Sequence, residues 1–106
     1  LEQVVANLVE NALAYGDRPV VVEVVEDGDA VILSVVDHGR GVPNSIVPNL
    51  FSRLHTLNHD QRPGAGLGLF LVKGLVEAMG GRVHYERLTS GSGAAFRVRI
   101  PISHSR

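Results

Sequence analysis

Hydrophobic residues recur along the first fifteen positions of the chain with the period of an α-helix. They fall on one broad arc of a helical wheel: Leu1, Val4, Val5, Leu8, Val9, Ala12 and Leu13. Asn7, Asn11 and Tyr15 follow one another at intervals of four, so they form a polar stripe at the edge of that arc. Gly16 and Pro19 end the pattern. The spacing predicts a helix over 1–15 whose two amides either cap neighbouring backbone or line a polar pocket.

Four segments have the composition and alternation of β-strands. The runs 20–25 and 30–37 are rich in β-branched residues, and Glu26-Asp27-Gly28-Asp29 between them predicts a hairpin turn. The segments 82–88 and 96–100 are predicted as two further strands. Strict alternation in the last segment predicts an inward face and a solvated face, made of Phe96, Val98 and Ile100 and of Arg97 and Arg99.

Two further helices are predicted between these strand pairs. Asn44 can cap a short helix over 45–54, which Pro48 is expected to shorten or kink. Residues 69–79 read as a mostly buried helix closed by Gly80-Gly81. The polar stretch 55–63 predicts a mobile loop. The order helix, two strands, two helices, two strands predicts an α+β fold, a two-layer α/β sandwich whose mixed sheet is covered on one face by about three helices.

Composition narrows the class of protein. The chain has 106 residues, is 44% hydrophobic and 20% charged, and carries a net charge of −1, which suits one domain over 1–106. This balance predicts no nucleic-acid partner and no direct membrane contact. The absence of cysteine excludes disulfides and thiolate chemistry. Because the chain starts at Leu1, without Met and inside a helical pattern, we expect a domain of a longer protein.

Three glycines at alternate positions, Gly64, Gly66 and Gly68, precede the last predicted helix. Glycine lets backbone approach a ligand closely, and a helix N-terminus offers free N–H groups to a phosphate. A flexible loop before a core helix explains the same residues. Neither a dinucleotide-binding fingerprint nor a P-loop fits, because Leu69-Phe70 stands where those motifs need a glycine or Lys-Ser/Thr.

A second glycine pair follows the strand 30–37, in Asp37-His38-Gly39-Arg40-Gly41. A carboxylate at a strand end, followed by spaced glycines, suits a loop that encloses a ligand. An Asx-type turn accounts for the same residues.

Three motifs stand in a fixed order: Asn7-Leu-Val-Glu-Asn11-Ala, Asp37-His-Gly39-Arg-Gly41 and Gly64-Ala-Gly66-Leu-Gly68-Leu. Together they resemble the asparagine box and the two glycine boxes of the ATP-binding, or catalytic, domain of sensor histidine kinases, in the wider family with DNA gyrase, Hsp90 and MutL. Leu50-Phe51 is similar to the phenylalanine box of that domain. The resemblance covers essentially the whole chain and implies the Bergerat α/β sandwich.

The resemblance implies ATP and Mg²⁺ as ligands. Asp37 matches the aspartate that accepts a hydrogen bond from the exocyclic amine of adenine and so disfavours guanine. Asn11 matches the Mg²⁺ ligand, and its neutral amide oxygen suits a hard cation beside a triphosphate. Arg62 and Arg53 match phosphate-contacting arginines, with a surface arginine as the alternative for each. Further nucleotide contacts are implied for Asn7, Tyr15, Gly39, Gly41, Val42, Gly64, Gly66, Leu67, Gly68 and Leu69.

Asn7 bears on the type of reaction. The ATPase branches of the family carry a glutamate there as base for the attacking water, and an amide cannot act as a base. Glu10 is the candidate for polarising an incoming group, with a solvated helix residue as the alternative, and Arg62 is the second catalytic candidate. The resemblance thus implies a histidine kinase domain that transfers the γ-phosphoryl to a histidine on another domain.

The implied partners are a phosphoacceptor, dimerising helical domain and a response regulator, with this domain itself a cytoplasmic monomer. His59-Asp60-Gln61-Arg62-Pro63 is one residue short of an acceptor motif and lies in a predicted loop, so the acceptor is expected elsewhere. The segment 52–63 is expected to act as a mobile lid over ATP. Whether the parent protein is anchored in a membrane is left open.

Some positions depart from the family pattern: Ala14, Leu54, Thr56, Ala65 and Ala94. They bear on affinity and on the position of the γ-phosphate. Three alternatives therefore stand beside the kinase: an ATPase of the same superfamily that uses water, a nucleotide-binding regulatory module without transfer activity, and a structural interaction domain.

Overall fold

The computed structural model describes residues 2–42, 44–45, 47–52, 67–88 and 93–102 of the chain. The predicted strands and the two longer predicted helices are all present, each within two residues of its predicted bounds. In chain order the elements are α1 (Glu2–Tyr15), β1 (Val21–Asp27), β2 (Ala30–Asp37), a short 3-10 helix (Val47–Asn49), α2 (Leu67–Ala78), β3 (Arg82–Arg87) and β4 (Ala94–Pro101).

The four strands form one sheet in the order β1-β2-β4-β3, and every described pairing is antiparallel. The prediction of a mixed sheet is therefore wrong. The chain crosses from β2 to β3 through α2, which would favour a parallel pair, but β4 lies between these two strands and pairs with both. In the β1–β2 hairpin Gly28 has a φ of 61° and Asp29 does not have a positive φ, as in a type II′ turn.

The core lies between the sheet and the two helices. Leu33 and Val35 of β2, with Phe96 and Val98 of β4, present one face of the sheet to the helices and are buried. Full burial of a side chain of this size contributes about 1.5–3 kcal/mol. The helices contribute the buried residues Val4, Leu8 and Ala12 from α1 and Leu69, Val72 and Val76 from α2. The predicted two-layer α/β sandwich is confirmed.

The opposite face of the sheet carries the two arginines predicted to lie outside. Arg97 donates hydrogen bonds to Glu86 and to Ser34 Oγ, both at 2.9 Å, and Arg99 pairs with Asp27 at 2.8 Å. The prediction of an outer face is confirmed. The arginines are paired rather than simply solvated: Arg97 with residues of the two neighbouring strands, and Arg99 with a residue of β1, beyond β2.

The helix predicted over 45–54 is a single 3-10 turn in the described part of that segment. Pro48 has no N–H to donate, so an α-helix cannot run through it with its bonds intact. Leu50 N instead bonds Val47 O at 3.1 Å, and Ser52 N bonds Asn49 O at 3.0 Å. Two α-helices and one 3-10 turn thus replace the predicted three helices among the described residues. The predicted mobile loop 55–63 lies outside those residues.

The helix α2 ends as the glycine pair predicts. Gly80 has a φ of 82°, Gly80 N bonds Glu77 O at 3.0 Å, and Gly81 N bonds Val76 O at 2.9 Å. These two bonds form a Schellman motif. The helix begins at Leu67, two residues earlier than predicted, so Leu67 and Gly68 belong to its first turn.

Candidate functional site

Asp37 is a buried acid at the end of β2, with a relative exposure of 5%. Its Oδ1 accepts a hydrogen bond of 2.7 Å from Gly39 N, which is the Asx-type turn that the sequence also allows. Its cross-strand partner on β4 is Ala94, which is itself buried. Burial of a carboxylate is costly unless its oxygens are hydrogen-bonded, so the second oxygen is a candidate acceptor for a ligand.

Two glycines enclose this carboxylate. A Cβ built on Gly16 would lie 2.6 Å from both oxygens of Asp37, and a Cβ on Gly39 would lie 3.0 Å from the Gly16 Cα. The end of α1 and the loop after β2 therefore approach each other with no room for a side chain. His38 N, which donates to Asp17 O at 2.9 Å, further ties these two segments together.

Asn7 marks a second polar position, farther toward the start of α1. A Cβ built on Gly68 would lie 3.7 Å from Asn7 Oδ1, so this amide faces the first turn of α2 across a gap that one added carbon would fill. Asn7 Nδ2 is buried and has no hydrogen-bond partner among the described residues. An unpaired buried donor costs about 1–3 kcal/mol, which marks this amide as a candidate for binding an acceptor supplied by a ligand.

The first turn of α2 adds backbone donors beside Asn7. The opening N–H groups of a helix have no partner within the helix and lie at the positive end of its dipole. Leu67, Gly68 and Leu69 occupy this turn, and the Leu69 side chain is buried in the core. Three of the residues predicted to contact phosphate are therefore placed where helix geometry favours an anion.

The helix α1 connects these two regions. Asn7 and Gly16 are nine residues apart, which is about 13 Å along a helix. Asn11 lies between them and is half-buried, whereas Glu10 is exposed. A ligand that reaches from Asp37 to Asn7 has to be elongated. It would carry a hydrogen-bond donor at the Asp37 end and an anionic group at the Asn7 end.

The far end of the loop after β2 is held by β3. Val42 N donates to Tyr85 Oη at 2.7 Å, and the Arg87 guanidinium donates to Val42 O. Gly41 has a φ of 85°, and a Cβ there would lie 2.7 Å from Tyr85 Oη. The Val42 N–H is therefore used, and a ligand could contact this residue only through its side chain or the second lone pair of its carbonyl oxygen.

Several predicted site residues lie outside the described part of the chain: Arg53, Arg62, Gly64 and Gly66. Tyr15 lies in the last turn of α1 and Leu67 is the first residue of α2, and only their backbone is described. These assignments remain predictions.

Sequence reasoning missed Gly16, Tyr85 and Arg87. Gly16 already has an explanation as the residue that ends α1, so nothing in the sequence points to its contact with Asp37. Tyr85 and Arg87 lie on an ordinary strand, where Tyr85 is half-buried and Arg87 is exposed, and their partners are 43 and 45 residues away.

Charge within the described residues is dispersed. No group of three or more His, Cys, Asp or Glu side chains there could hold a metal ion by itself. Neither described α-helix has the length and apolar character that a membrane crossing needs.

On the outer sheet face, the hydrogen bond and charge of Arg97 lower the pKa of Glu86 below its ordinary value.

Residues 1–104 match the family model described as histidine kinase-, DNA gyrase B-, and HSP90-like ATPase. The sensor protein KdpD of Clostridium acetobutylicum is 38% identical over 95% of this chain and 12% of its own length. The signal transduction histidine-protein kinase AfsQ2 of Streptomyces coelicolor is 33% identical over 95% of this chain and 19% of its own length. The chain thus spans less than a fifth of these curated relatives.

Solved structures show the same fold. Full-length ShkA in complex with AMPPNP superposes with a TM-score of 0.77 at 32% identity, over 97% of this chain and 21% of that one. The nucleotide-free catalytic domain of histidine kinase ThkA superposes with a TM-score of 0.77 at 26% identity, over 93% of this chain and 64% of that one.

Proposed function

Because the chain belongs to the family of histidine kinase-, DNA gyrase B- and HSP90-like ATPases, we propose that it binds Mg-ATP along α1 and presents the γ-phosphoryl to a histidine on a separate helical domain. The observation that carries the proposal is that one helix joins both ends of the site. Its Asn7 faces Gly68 of α2, and Gly16 at its end contacts Asp37.

The Asp37 end suits adenine. One oxygen of the buried carboxylate is used by Gly39 N, and the other is the acceptor for the exocyclic amine of the base. Guanine would present a carbonyl oxygen to the same acid, leaving a buried charge without a donor. Sites built on such a contact discriminate by as much as about 10⁴-fold.

The Asn7 end suits the phosphates. The unpaired Nδ2 of Asn7 and the first-turn N–H groups of α2 are donors on two segments that face each other. Mg²⁺ bound with a nucleotide neutralises phosphate charge and needs only one or two protein oxygens. The Asn11 amide, half-buried one turn along α1 from Asn7, supplies an oxygen of this kind.

Transfer to a protein acceptor fits these residues better than hydrolysis. The position that would hold a base for water is Asn7, whose amide cannot take a proton. Glu10 lies one turn from Asn7 and is exposed, so it can polarise a group arriving from solvent. Catalysis by this chain is then positioning of ATP and stabilisation of charge, with the nucleophile supplied by the acceptor domain.

The exposed side of α2 is the surface proposed to receive that domain. Leu71, Leu75 and Met79 follow one another at intervals of four and are 48%, 38% and 38% exposed. This apolar stripe runs along the helix whose first turn forms the phosphate end. An acceptor histidine must reach that end, so a helix of the acceptor domain packed on the stripe would be well placed.

The phosphorylated histidine would pass its phosphoryl group to a response regulator, as in a two-component system. A cytoplasmic location, where ATP is available, is proposed for this domain in its parent protein.

The test is calorimetric titration of the chain with Mg-ADP and with Mg-GDP, followed by radiolabelled ATP in the presence of the full-length protein's helical domain. We expect ADP to bind, GDP to bind at least about a hundredfold more weakly, and label to appear on a histidine. Leu75→Ser should reduce labelling and leave ADP affinity unchanged, with exposed Lys73→Ser as the matched control. Absence of ADP binding at millimolar concentration contradicts the proposal, and release of phosphate at the same rate without an acceptor favours the ATPase alternative.

A further inference from the structure

We infer that Tyr85 and Arg87 of β3 are positioning residues, which hold the loop 38–42 in the shape that accepts the nucleoside. The inference rests on the proposed function and assigns a role within it. These two side chains set the affinity for the nucleoside at the base end of the site and do not affect the affinity for phosphate at the other end. Neither residue belongs to the motifs that carry the family resemblance.

The loop is fixed at both ends by different parts of the fold. At its start, His38 N bonds Asp17 O, His38 Nδ1 donates to Pro19 O at 2.8 Å, and Gly39 N bonds Asp37. These contacts tie the start of the loop to the segment between α1 and β1.

At its end, both polar groups of the Val42 backbone are bonded by side chains of β3. Tyr85 Oη accepts from Val42 N at 2.7 Å, and Arg87 donates to Val42 O. Tyr85 and Arg87 are two residues apart on one strand, so they lie on the same face of the sheet. We call these two contacts with Val42 the clamp. Because β4 lies between β3 and β2, the clamp spans three strands.

The hydroxyl of Tyr85 is held in place by the core. Its ring lies 5.3 Å from the Phe96 ring, and Phe96 in turn packs edge-on against Phe51 at 6.0 Å. Phe96 is fully buried, so the Tyr85 ring has a firm support. A hydroxyl on a supported ring positions a backbone amide more tightly than a side chain in solvent would.

Gly41 shows that the clamp shapes the loop rather than only touching it. Its φ of 85° is one that other residues rarely adopt, and a Cβ there would lie 2.7 Å from Tyr85 Oη and 3.2 Å from Arg87 Nε. The loop therefore passes directly over both side chains. Loss of either contact frees the end of the loop, while Asp37 and its bond to Gly39 stay in place.

The test compares wild type, Tyr85→Phe, Arg87→Ala and Arg87→Lys by calorimetry with Mg-ADP, AMP and inorganic tripolyphosphate. Tyr85→Phe keeps the ring and removes only the hydroxyl. We expect affinity for ADP and for AMP to fall by the same factor, about tenfold, as for loss of one hydrogen bond, and tripolyphosphate affinity to be unchanged. Arg87→Lys, which retains a donor, should recover part of the loss seen in Arg87→Ala.

Arg99→Ala is the matched control, since Arg99 also pairs across strands but lies on the opposite face of the sheet. It should leave affinity for all three ligands unchanged. Amide exchange gives a readout independent of ligand: the Val42 N–H should exchange faster in Tyr85→Phe, while the amides of β2 keep their protection.

The outcomes separate this inference from the proposed function. If wild type binds no ADP, the proposed function fails, whatever the variants do. If wild type binds ADP and Tyr85→Phe binds ADP and AMP equally well, the positioning role is wrong and the proposed function stands. An equal loss of tripolyphosphate affinity would also overturn it, because the effect would then be general.

Discussion

Gly16 and Asp37 lie in direct contact, although 21 positions separate them along the chain. A Cβ on residue 16 would lie 2.6 Å from both carboxylate oxygens of Asp37, which is too close for atoms that are not bonded. Gly16 is not among the glycines with a positive φ, so the requirement for glycine is one of space and not of backbone conformation. The end of α1 thereby closes one side of the proposed base pocket.

Gly16→Ala should displace Asp37 or push α1 away from the loop after β2. We expect the free energy of unfolding to fall by about 1–3 kcal/mol, as for other overpacked sites, and ADP affinity to fall at least about tenfold. Chemical denaturation and calorimetry measure the two effects. The control is Gly74→Ala in α2, where, apart from its chain neighbours and the surrounding backbone of the helix, no described atom lies within 4 Å of the added Cβ.

Gly74→Ala should stabilise the fold by about 0.5–1 kcal/mol, since alanine is the better helix former, and should leave ADP affinity unchanged. If both alanine variants behaved alike, steric contact at Asp37 would not be the cause.

Asp37→Asn should remove nucleotide binding and preserve the fold. The asparagine oxygen can still accept the bond from Gly39 N, so the turn survives. Its amide nitrogen would face the exocyclic amine of adenine, donor against donor. We expect ADP affinity to fall by about a hundredfold or more, with a thermal midpoint close to that of wild type. Unchanged affinity in a folded variant would place the base elsewhere.

Asn7→Leu should weaken nucleotide binding and stabilise the fold. The substitution removes a buried amide nitrogen that has no partner among the described residues and introduces a stronger helix former. We expect the free energy of unfolding to rise by about 1 kcal/mol, while ADP affinity falls at least about tenfold. Gln3→Leu, at an exposed site on the same helix, should change neither quantity appreciably. A destabilised Asn7→Leu protein would show that the amide is satisfied in solution.

The Glu86–Arg97 pair predicts a dependence on acid pH. The hydrogen bond and charge of Arg97 hold the pKa of Glu86 below its ordinary value of 4.5 in the folded protein. The unfolded chain therefore binds this proton more readily. The contribution of the pair to stability is present above pH 4.5 and is lost as the pH falls through the folded-state pKa.

Carbon-detected titration of the Glu86 carboxyl checks this effect. Arg97→Gln should raise the pKa of Glu86 toward 4.5, whereas Arg99→Gln, which removes a partner of Asp27 instead, should leave it lowered. A Glu86 pKa that does not respond to Arg97→Gln would exclude this arginine as the cause.

Local sequence determined much of this protein. The helical spacing of α1, the alternation of Phe96 and Val98 and the glycine pair after α2 each depend on residues a few positions apart, and all three are confirmed. Propensity, periodicity and capping act over that range, so they can be read without knowledge of the fold. The three ordered motifs also identified the family.

Tertiary structure decided the rest. Insertion of β4 between β2 and β3 made the sheet antiparallel, and the contacts of Gly16 with Asp37 and of Tyr85 with Val42 formed between distant segments. Each depends on how helices and strands pack, because a side chain reaches a remote partner only after the layers between them are in place. The sequence places Tyr85 on a predicted strand, but only packing determines which backbone amide its hydroxyl meets.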